Sequence, residues 1–416
     1  MSASERPRRR RPRSSGVRAH QPQPVEVVVD AARIQEIAER LAQQKYVAFD
    51  TEFLREKTFF PQLGLLQIAD IEETWLIDPL AVSKEDLQPL LDVLTSPDVL
   101  KIAHSAEQDQ ECLAREYGVV ASPLFDTSVG AALTGRGEQI GLAPLLRKTL
   151  KVDLPKGHTR TNWLKRPLLD AMAEYAAADV IYLVELGELL LADLDLRGRK
   201  KWALELSDQF GDLSRYETNG AGSAAKMAAS SRLSPREYAV LVELSTWREA
   251  RVRKSDIPRR WLAEDAALVQ LARAQPTTPD DLAQFRGLGQ RVRDYGAEKI
   301  VAAIQRGLDK PEEELVEPPR KAEPTQAEAA AAVVLKCLLN LLAQQNDVPL
   351  RYLMSADTPL LLLRGNFDSA EALQNSGLLG TGAWEIFGPQ VLGILRGDQA
   401  VRIDGGQAVL FNREEA

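Results

Sequence analysis

The sequence predicts an α/β domain, with a mixed sheet flanked by helices, followed by all-helical domains. Three strand-like runs come in close succession, and helical and strand patterns then alternate as far as about Asp208. This order is typical of a mixed sheet with helices on its faces. No strand pattern occurs from Ser234 to Leu308, which predicts a separate helical unit. The length of 416 residues allows roughly two to four domains.

Composition excludes several classes of protein. A hydrophobic fraction of 44% is enough for packed cores, so global disorder is excluded. No apolar stretch is expected to reach the roughly 18 residues of a bilayer span, so we expect a soluble protein with no membrane partner. The two cysteines, Cys112 and Cys337, lie in apolar helical patterns. Buried free thiols and a reducing, cytoplasmic location are therefore expected.

Charge is distributed unevenly along the chain. Residues 1–24 hold seven arginines and one acid, for a net +6, whereas the remaining chain carries −14. We predict a disordered basic tail, which either holds phosphate backbones weakly or only improves solubility. An acidic body argues against coating nucleic acid by bulk electrostatics, but not against an enzyme whose acids gather metal ions at one place. The three histidines, His20, His104 and His158, are too scattered for a histidine metal site, so carboxylates must hold any metal.

The first domain is predicted over residues 25–215. Residues 25–29 have a strand pattern, and residues 31–43 form an amphipathic helix with an apolar face. Further strands are predicted, separated by polar turns, at residues 46–53, 63–69 and 74–77. Residues 101–103 resemble a short buried strand, and residues 105–117 a helix that carries Asp109 near its start.

Helix-start and linker signals divide the rest of the chain. The Gly/Ala/Ser-rich residues 220–231 predict a linker, and Ser234-Pro235-Arg236-Glu237 has a serine N-cap, a proline at the first position and a glutamate three residues after the cap. Thr278-Pro279-Asp280-Asp281 predicts another helix start. We therefore predict a helical domain at 216–310, an acidic, proline-rich linker at 311–325 and a last helical domain at 326–416, which ends in a β-hairpin around Gly405-Gly406.

Acidic residues at three places are candidate metal ligands. Asp50 and Glu52 lie two residues apart on a predicted strand, so both side chains point to one face. Burying two like charges is costly without cations, which favours a metal site over a solvated edge strand. Asp109, taken alone, is better explained as an acid that favours the helix N-terminus. Tyr175 and Asp179 are four residues apart on a predicted helix and share a face.

Together these residues resemble the three signature motifs of the DEDD 3′–5′ exonucleases of the tyrosine subclass, and most closely the ribonuclease D family. The resemblance covers about residues 25–190 and implies a ribonuclease-H-like fold with a mixed five-stranded sheet. The matching stretches are Asp50-Thr51-Glu52-Phe53, Phe60-Pro61-Gln62-Leu63-Gly64-Leu65-Leu66-Gln67, Leu76-Ile77-Asp78-Pro79-Leu80, Arg160-Thr161-Asn162-Trp163, Arg166-Pro167-Leu168 and Glu174-Tyr175-Ala176-Ala177-Ala178-Asp179-Val180.

The helical unit resembles the helicase-and-RNase-D C-terminal (HRDC) domain. The resemblance rests on three stretches, Leu244-Ser245-Thr246-Trp247-Arg248-Glu249, Ile257-Pro258, and Leu282-Ala283-Gln284 ahead of Gly287-Leu288-Gly289. The last unit could be a second, diverged copy, because ribonuclease D carries two.

The resemblance implies a metal-dependent 3′–5′ exoribonuclease that releases 5′-nucleotides, with tRNA precursors as the usual substrates of the family. It implies that Asp50, Glu52, Asp109 and Asp179 hold two Mg²⁺ or Mn²⁺ ions, with Asp50 bridging both. Tyr175 would orient the attacking water. A 3′–5′ DNA exonuclease and a non-catalytic RNA-binding scaffold are the alternative interpretations, and the sequence does not specify an oligomeric state.

Substrate contacts are predicted at Phe53, His104, Arg160 and Trp163. Arg160 and Trp163 lie among basic residues, a pattern that suits single-stranded RNA with a base stacked on the tryptophan. A packed tryptophan ringed by solvated charges fits the same pattern equally well. Residues 248–260 carry six basic and two acidic residues, which predicts either an RNA-facing surface or a merely solvated helix end.

Overall fold

The computed structural model describes residues 18–19, 25–154, 161–217, 219–290, 292, 296–319, 323–367 and 369–413. The predicted disorder of residues 1–24 therefore lies almost wholly outside the described residues. It is wrong at Arg18–Ala19 (β1), which pairs in parallel with Val152–Asp153 (β8).

A mixed sheet of six strands forms the centre of the first domain, in the order β2-β5-β4-β3-β6-β7. The strands are β2 (Glu26–Val28), β3 (Tyr46–Leu54), β4 (Gln62–Ala69), β5 (Thr74–Ile77), β6 (Leu100–Ala103) and β7 (Leu124–Asp126). The expected mixed sheet is confirmed, but the expected number of five strands is wrong. The pattern missed β7, because its three residues are all buried and too few to show alternation.

Helices cover both faces of this sheet. They are α1 (Ala31–Leu41), α2 (Lys84–Thr95), α3 (Glu107–Tyr117), α4 (Thr127–Leu133), α5 (Leu142–Thr149), α6 (Asp170–Ala178), α7 (Leu183–Leu196) and α8 (Lys200–Asp208). Along β3, Val47 and Phe49 enter the core beneath α1 and α2, whereas Ala48 enters the core beneath α4 and α7. Because side chains alternate along a strand, Asp50 and Glu52 follow Ala48 onto that second face.

The pairing of β3 with β4 brings a distant segment to the sheet. The register shifts between Glu52 and Phe53, which leaves Gly64 of β4 without a partner in the ladder. A Cβ atom at Gly64 would lie 2.7 Å from the carbonyl oxygen of Trp163. Glycine therefore permits the close approach of the segment that leads into α6.

The next unit is helical, and its first helix precedes the helix start predicted at Ser234. Its helices are α9 (Gly220–Ala229), α10 (Pro235–Ser255), α11 (Arg259–Leu262), α12 (Asp265–Ala274) and α13 (Ala297–Leu308). The predicted linker at 220–231 is wrong, because these small residues form α9 with Ala224 and Ala228 buried against the same core as α10. Ser234 and Glu237 form the expected capping box. The expected helix after Thr278 is only a short 3₁₀ turn at Asp280–Gln284.

The last unit contains α14 (Gln326–Gln345), α15 (Leu350–Leu353), α16 (Thr358–Gly365), α17 (Ala370–Asn375) and α18 (Thr381–Arg396), then a hairpin of β9 (Gln399–Asp404) and β10 (Gln407–Asn412). Its core is continuous with that beneath α4, α7 and α8. By length and composition α14 could cross a membrane, contrary to expectation. Leu339 and Leu342 of α14 are nevertheless buried in this shared core. Cys112 is buried as expected, but Cys337 on the outer face of α14 is exposed.

Candidate active site

Three of the predicted acids meet at one end of the sheet. Carboxylate oxygens of Asp50, Glu52 and Asp179 all lie within 4.8 Å of one another. The first two come from β3, and Asp179 is the residue at which α6 ends. Alternation along the strand and the end of one helix therefore bring together residues that are about 130 positions apart in sequence.

Asp109 reaches the same strand from α3. Its Oδ1 accepts the backbone N–H of Thr51 at 3.0 Å and the Thr51 hydroxyl at 2.5 Å. The carboxylate of Asp109 is buried, and its charge raises the pKa of both Asp50 and Glu52. The structure thus brings all four predicted acids into electrostatic contact, although Asp109 lies outside the tightest group of three.

Burial raises the pKa of each acid, and the charges of neighbouring acids of the cluster raise it further at Asp50 and Glu52. Burial is the larger cause for Asp50, whose pKa is well above its usual range, followed by the charges of Asp109 and Asp179. The same two causes raise the pKa of Glu52 to about 8. Burial raises the pKa of Asp109 to about 7 against the hydrogen bonds from Thr51, and the pKa of Asp179 to about 6. Such a cluster binds protons more tightly than isolated carboxyl groups do, unless a cation compensates the charge.

The donor set fits a divalent cation. Within the described parts of the chain, no lysine or arginine forms an ion pair with any of the four acids. Carboxylate oxygens are the hard ligands that Mg²⁺ and Mn²⁺ prefer. These four side chains are therefore the residues that could hold metal at this site.

Tyr175 lies beside the acids on the last turns of α6. Its hydroxyl hydrogen-bonds the carboxylate of Asp179. Burial, followed by the charges of Asp179, Glu52 and Asp50, raises the pKa of the phenol well above its ordinary value. The phenol therefore keeps its proton at neutral pH and serves as a hydrogen-bond donor rather than as a base.

Trp163 packs against Tyr175, and its ring is not available to stack on an RNA base. Its ring stacks on that of Tyr175, with centroids 6.2 Å apart and 30° between the planes. Only 4% of Trp163 is exposed, and it packs with Leu65, Leu76 and Met172. The prediction that Trp163 stacks an RNA base is therefore wrong, and the packed alternative is the one that the structure contains.

Arg166 fixes the segment that carries Trp163. Its guanidinium forms two hydrogen bonds to the buried Asp78, at 2.5 and 2.6 Å. It also donates to the carbonyl oxygens of Gly64 and Trp163, at 2.7 and 2.8 Å. One side chain thus joins β4, the end of β5 and the segment that leads into α6. It therefore fixes the position of the segment that precedes Tyr175.

The other predicted substrate contacts have different environments. Both ring nitrogens of His104 are engaged by the protein, Nδ1 with the Thr127 hydroxyl at 2.9 Å and Nε2 with the Ile140 carbonyl at 3.1 Å. Burial lowers the pKa of His104, against the charge of Asp126. Phe53 is partly buried and directly follows Glu52 beyond the register shift. Arg160 lies outside the described residues.

Sequence reasoning missed two supporting residues, Thr51 and Asp126. Thr51 holds Asp109 as described above. Asp126 is buried at the end of β7 and accepts the backbone N–H groups of Ser105 and Ala106, at 2.9 and 3.0 Å. It fixes Ser105 at a φ of 61°, immediately before the helix that carries Asp109. The signal available was an apolar run that ends in Asp126-Thr127, but only the fold shows what it holds.

Comparison with known proteins gives the family. The family model for 3′–5′ exonucleases matches residues 25–195, and the HRDC domain model matches residues 237–304. The ribonuclease D of a Jannaschia species is 35% identical over 88% of this chain and 94% of the relative. That of Nitrobacter hamburgensis is 32% identical over 94% of this chain and 100% of the relative.

A solved structure agrees with these relatives. Escherichia coli RNase D, an exoribonuclease involved in structured RNA processing, superimposes with a TM-score of 0.76 and 25% identity over 90% of this chain and 99% of its own. The matches extend across the acidic site, the HRDC unit and most of the last unit. The chain therefore belongs to the ribonuclease D family of 3′–5′ exoribonucleases.

Proposed function

We propose that this enzyme shortens RNA from its 3′ end and releases 5′-nucleotides by two-metal-ion hydrolysis at the acidic site. The observation that carries the proposal is the convergence of Asp50, Glu52 and Asp179 within 4.8 Å, with Asp109 beside them. A cluster so crowded and uncompensated suits a site that is completed by cations. The reaction type follows from the family, and the residues follow from this geometry.

Asp50, Glu52, Asp109 and Asp179 would hold two Mg²⁺ or Mn²⁺ ions. Bound ions of this kind supply an activated water and stabilise the leaving oxygen of a phosphodiester. The protein contributes the placement of the ligands, because β3 fixes two of them and Thr51 fixes the carboxylate of Asp109 with two hydrogen bonds. The ligands therefore need little rearrangement to bind.

Tyr175 would orient the attacking water rather than deprotonate it. Its raised pKa keeps the hydroxyl protonated, and its hydrogen bond to Asp179 keeps it at the edge of the cluster. The stacked Trp163 limits the movement of the ring. An oriented donor at this point favours one direction of approach to the phosphorus atom.

The proposed substrates are tRNA precursors and other RNAs with single-stranded 3′ ends. Two findings support this choice, the HRDC unit beside the exonuclease domain and the role of the similar E. coli enzyme in structured RNA processing. We place the reaction in the cytoplasm, where such precursors are found.

The test is an incubation of the purified protein with Mg²⁺ or Mn²⁺ and with RNA or DNA of one sequence, labelled at either end. The proposal expects RNA to lose mononucleotides from the 3′ end, and EDTA to stop the reaction. Asp50→Asn should be inactive, whereas Glu56→Gln, an exposed acid just beyond β3, should match the wild type. Faster hydrolysis of DNA would instead favour the DNA exonuclease, and metal-independent binding without hydrolysis would favour the scaffold.

The substrate proposal needs its own comparison. A tRNA precursor with a short 3′ extension and an unstructured RNA of equal length are supplied together. We expect the precursor to be shortened faster and to stop near its folded body. Equal rates on the two RNAs would contradict the preference for tRNA precursors while leaving the chemistry in place.

A further inference from the structure

A cleft of about 640 Å³ opens in the HRDC unit between α9, α10 and α12. None of the residues that line it belongs to the acidic site. The side chains of four basic residues border it, Lys226, Arg248, Arg259 and Arg273. The cleft therefore collects positive charge in a chain whose net charge is −8.

Two of these cations are held in place by the protein. Arg248 is only 2% exposed and donates to the Ala263 carbonyl at 3.1 Å and to Asp265 at 2.6 Å. Arg259 forms two hydrogen bonds to the buried Glu249, at 2.6 and 2.8 Å. Their charges are therefore fixed before any ligand arrives, and preorganised charge costs no ordering on binding.

The other two cations are available to a ligand. Lys226 and Arg273 are exposed, and among the residues that the structure describes neither has a carboxylate within 4.0 Å. Arg273 makes one long hydrogen bond, 3.5 Å to the carbonyl oxygen of Arg232. Even when Asp265 and Glu249 are both counted against the four cations, the cleft keeps a net charge of about +2.

Polar and apolar groups complete the lining. Ser223, Ser230 and Ser231 add hydroxyl groups on the α9 side. Met227 and Val269 add an apolar surface. Ala266 lies in the first turn of α12, where the helix dipole adds positive potential. The lining therefore offers donors for an anion beside a surface for an uncharged ring.

We propose that this cleft binds the phosphate ester of a ribonucleotide, with the phosphate at Lys226 and Arg273 and the nucleoside against Met227 and Val269. The volume suits one nucleotide, because small-molecule pockets typically measure about 300–1,000 Å³. The phosphate ester can come from an RNA strand or from a free mononucleotide, and the chemistry of recognition is the same. The proposal does not depend on the metal chemistry of the acidic site.

Binding is measured by calorimetry on the full chain in EDTA, so that RNA is not hydrolysed. The probes are AMP, adenosine, inorganic phosphate and a single-stranded RNA of about a dozen nucleotides. The test variant is Lys226→Gln/Arg273→Gln, and the matched control is Lys299→Gln/Arg286→Gln, which removes two exposed cations outside the cleft. All four positions are exposed, and circular dichroism verifies that both variants are folded.

We expect the affinity of the test variant for a phosphate-bearing probe to fall at least tenfold. The control variant should keep the affinity of the wild type. Adenosine, which has no phosphate, should bind neither the test variant nor the control variant. If the test variant loses affinity for AMP, the phosphate ester comes from a free nucleotide. If it loses affinity for RNA alone, the phosphate ester comes from an RNA strand. Equal affinity of wild type and test variant for AMP and for RNA would overturn the proposal. So would equal binding of AMP and adenosine by the wild type. Because no step requires hydrolysis, an inactive acidic site would leave these results interpretable.

Discussion

Replacing Glu52 by glutamine is expected to stabilise the metal-free enzyme, although it removes a proposed metal ligand. The pKa of Glu52 is raised from an ordinary 4.5 to about 8, by burial and by the charges of Asp179 and Asp109. Each pKa unit corresponds to about 1.4 kcal/mol, which gives an upper limit of about 5 kcal/mol at high pH. Solvent screens this partly exposed side chain, so we expect a gain of about 1–3 kcal/mol at pH 8.

The gain has a defined dependence on pH. A carboxyl group whose pKa is raised on folding favours the folded state below its unfolded pKa, and this contribution is lost as pH rises through the folded pKa. The metal-free wild type should therefore lose stability between about pH 4.5 and pH 8, in the window set by Glu52. A glutamine does not titrate, so the advantage of the variant should shrink steadily toward pH 5.

The assay is thermal unfolding in EDTA at pH 8 and at pH 5, with Glu56→Gln as the matched control. A gain of this size raises the Tm of a domain of this length by a few degrees, about 2–4 °C per kcal/mol. Added Mg²⁺ should stabilise the wild type more than Glu52→Gln, because the variant has lost a ligand. A variant no more stable than the wild type at pH 8, or equally favoured at both pH values, would refute the reasoning.

Three further predictions concern the site and its supports. Asp50→Asn should abolish hydrolysis of 3′-labelled RNA with an unchanged circular dichroism spectrum, and residual metal-dependent turnover would contradict its proposed role as a metal ligand. Tyr175→Phe should slow turnover about 10-fold or more but leave the Kd for RNA unchanged, so equal rates would remove the tyrosine from the mechanism. Arg166→Gln should lower the free energy of unfolding in urea by about 3–5 kcal/mol, because it leaves the buried Asp78 unpaired. A loss below about 1 kcal/mol would show that the Arg166–Asp78 pair is dispensable for stability.

Local signals in the sequence account for much of the fold. Alternation on β3 put Asp50 and Glu52 on one face, and the capping box at Ser234 correctly marked the start of α10. Spacing of four put Tyr175 and Asp179 side by side. These predictions succeed because each depends on residues within one turn or one strand.

The failures depend on distant contacts. Small residues at 220–231 have the composition of a linker, but their size is what lets α9 pack closely on α10. A Cβ atom at Gly220 would lie 2.2 Å from the Cα of Thr246. Trp163 among basic residues looked like a stacking surface, yet its ring is buried behind Tyr175. Nothing local distinguishes these outcomes, because the partner in each case lies elsewhere in the chain.

The same dependence applies to the pairing of Arg166 with Asp78. Both residues lie in stretches that resemble the ribonuclease D family, but 88 positions separate them. The sequence offers no rule for joining them. In the structure they form one clamp, with the carbonyl of Gly64 as a third member. The two sequence motifs that contain Asp78 and Arg166 therefore act together to position the segment that leads to Tyr175.

The strand that carries the acids also joins the catalytic domain to the HRDC unit. Beyond Glu52 the chain forms the β3–β4 turn, where the buried ring of Phe59 packs in the HRDC core. Asp256, at the end of α10, accepts the backbone N–H groups of Phe59 and Phe60 at 2.9 and 3.0 Å. Movement of the HRDC unit would therefore displace the β3–β4 turn, which lies only a few residues from the proposed metal ligand Glu52.

The last unit is joined to the catalytic domain in a different way, through a shared apolar core. Trp202 of α8 meets Phe387 of α18 edge to face, with ring centroids 5.7 Å apart. Leu339 of α14 belongs to the same core cluster as Leu190 of α7. Cutting the chain before α10 would thus expose both Phe59 and Trp202, whose burial stabilises the catalytic domain itself. The helical units are therefore part of the framework that holds the acidic site, and their contribution to RNA binding has to be measured with side-chain substitutions in the intact chain.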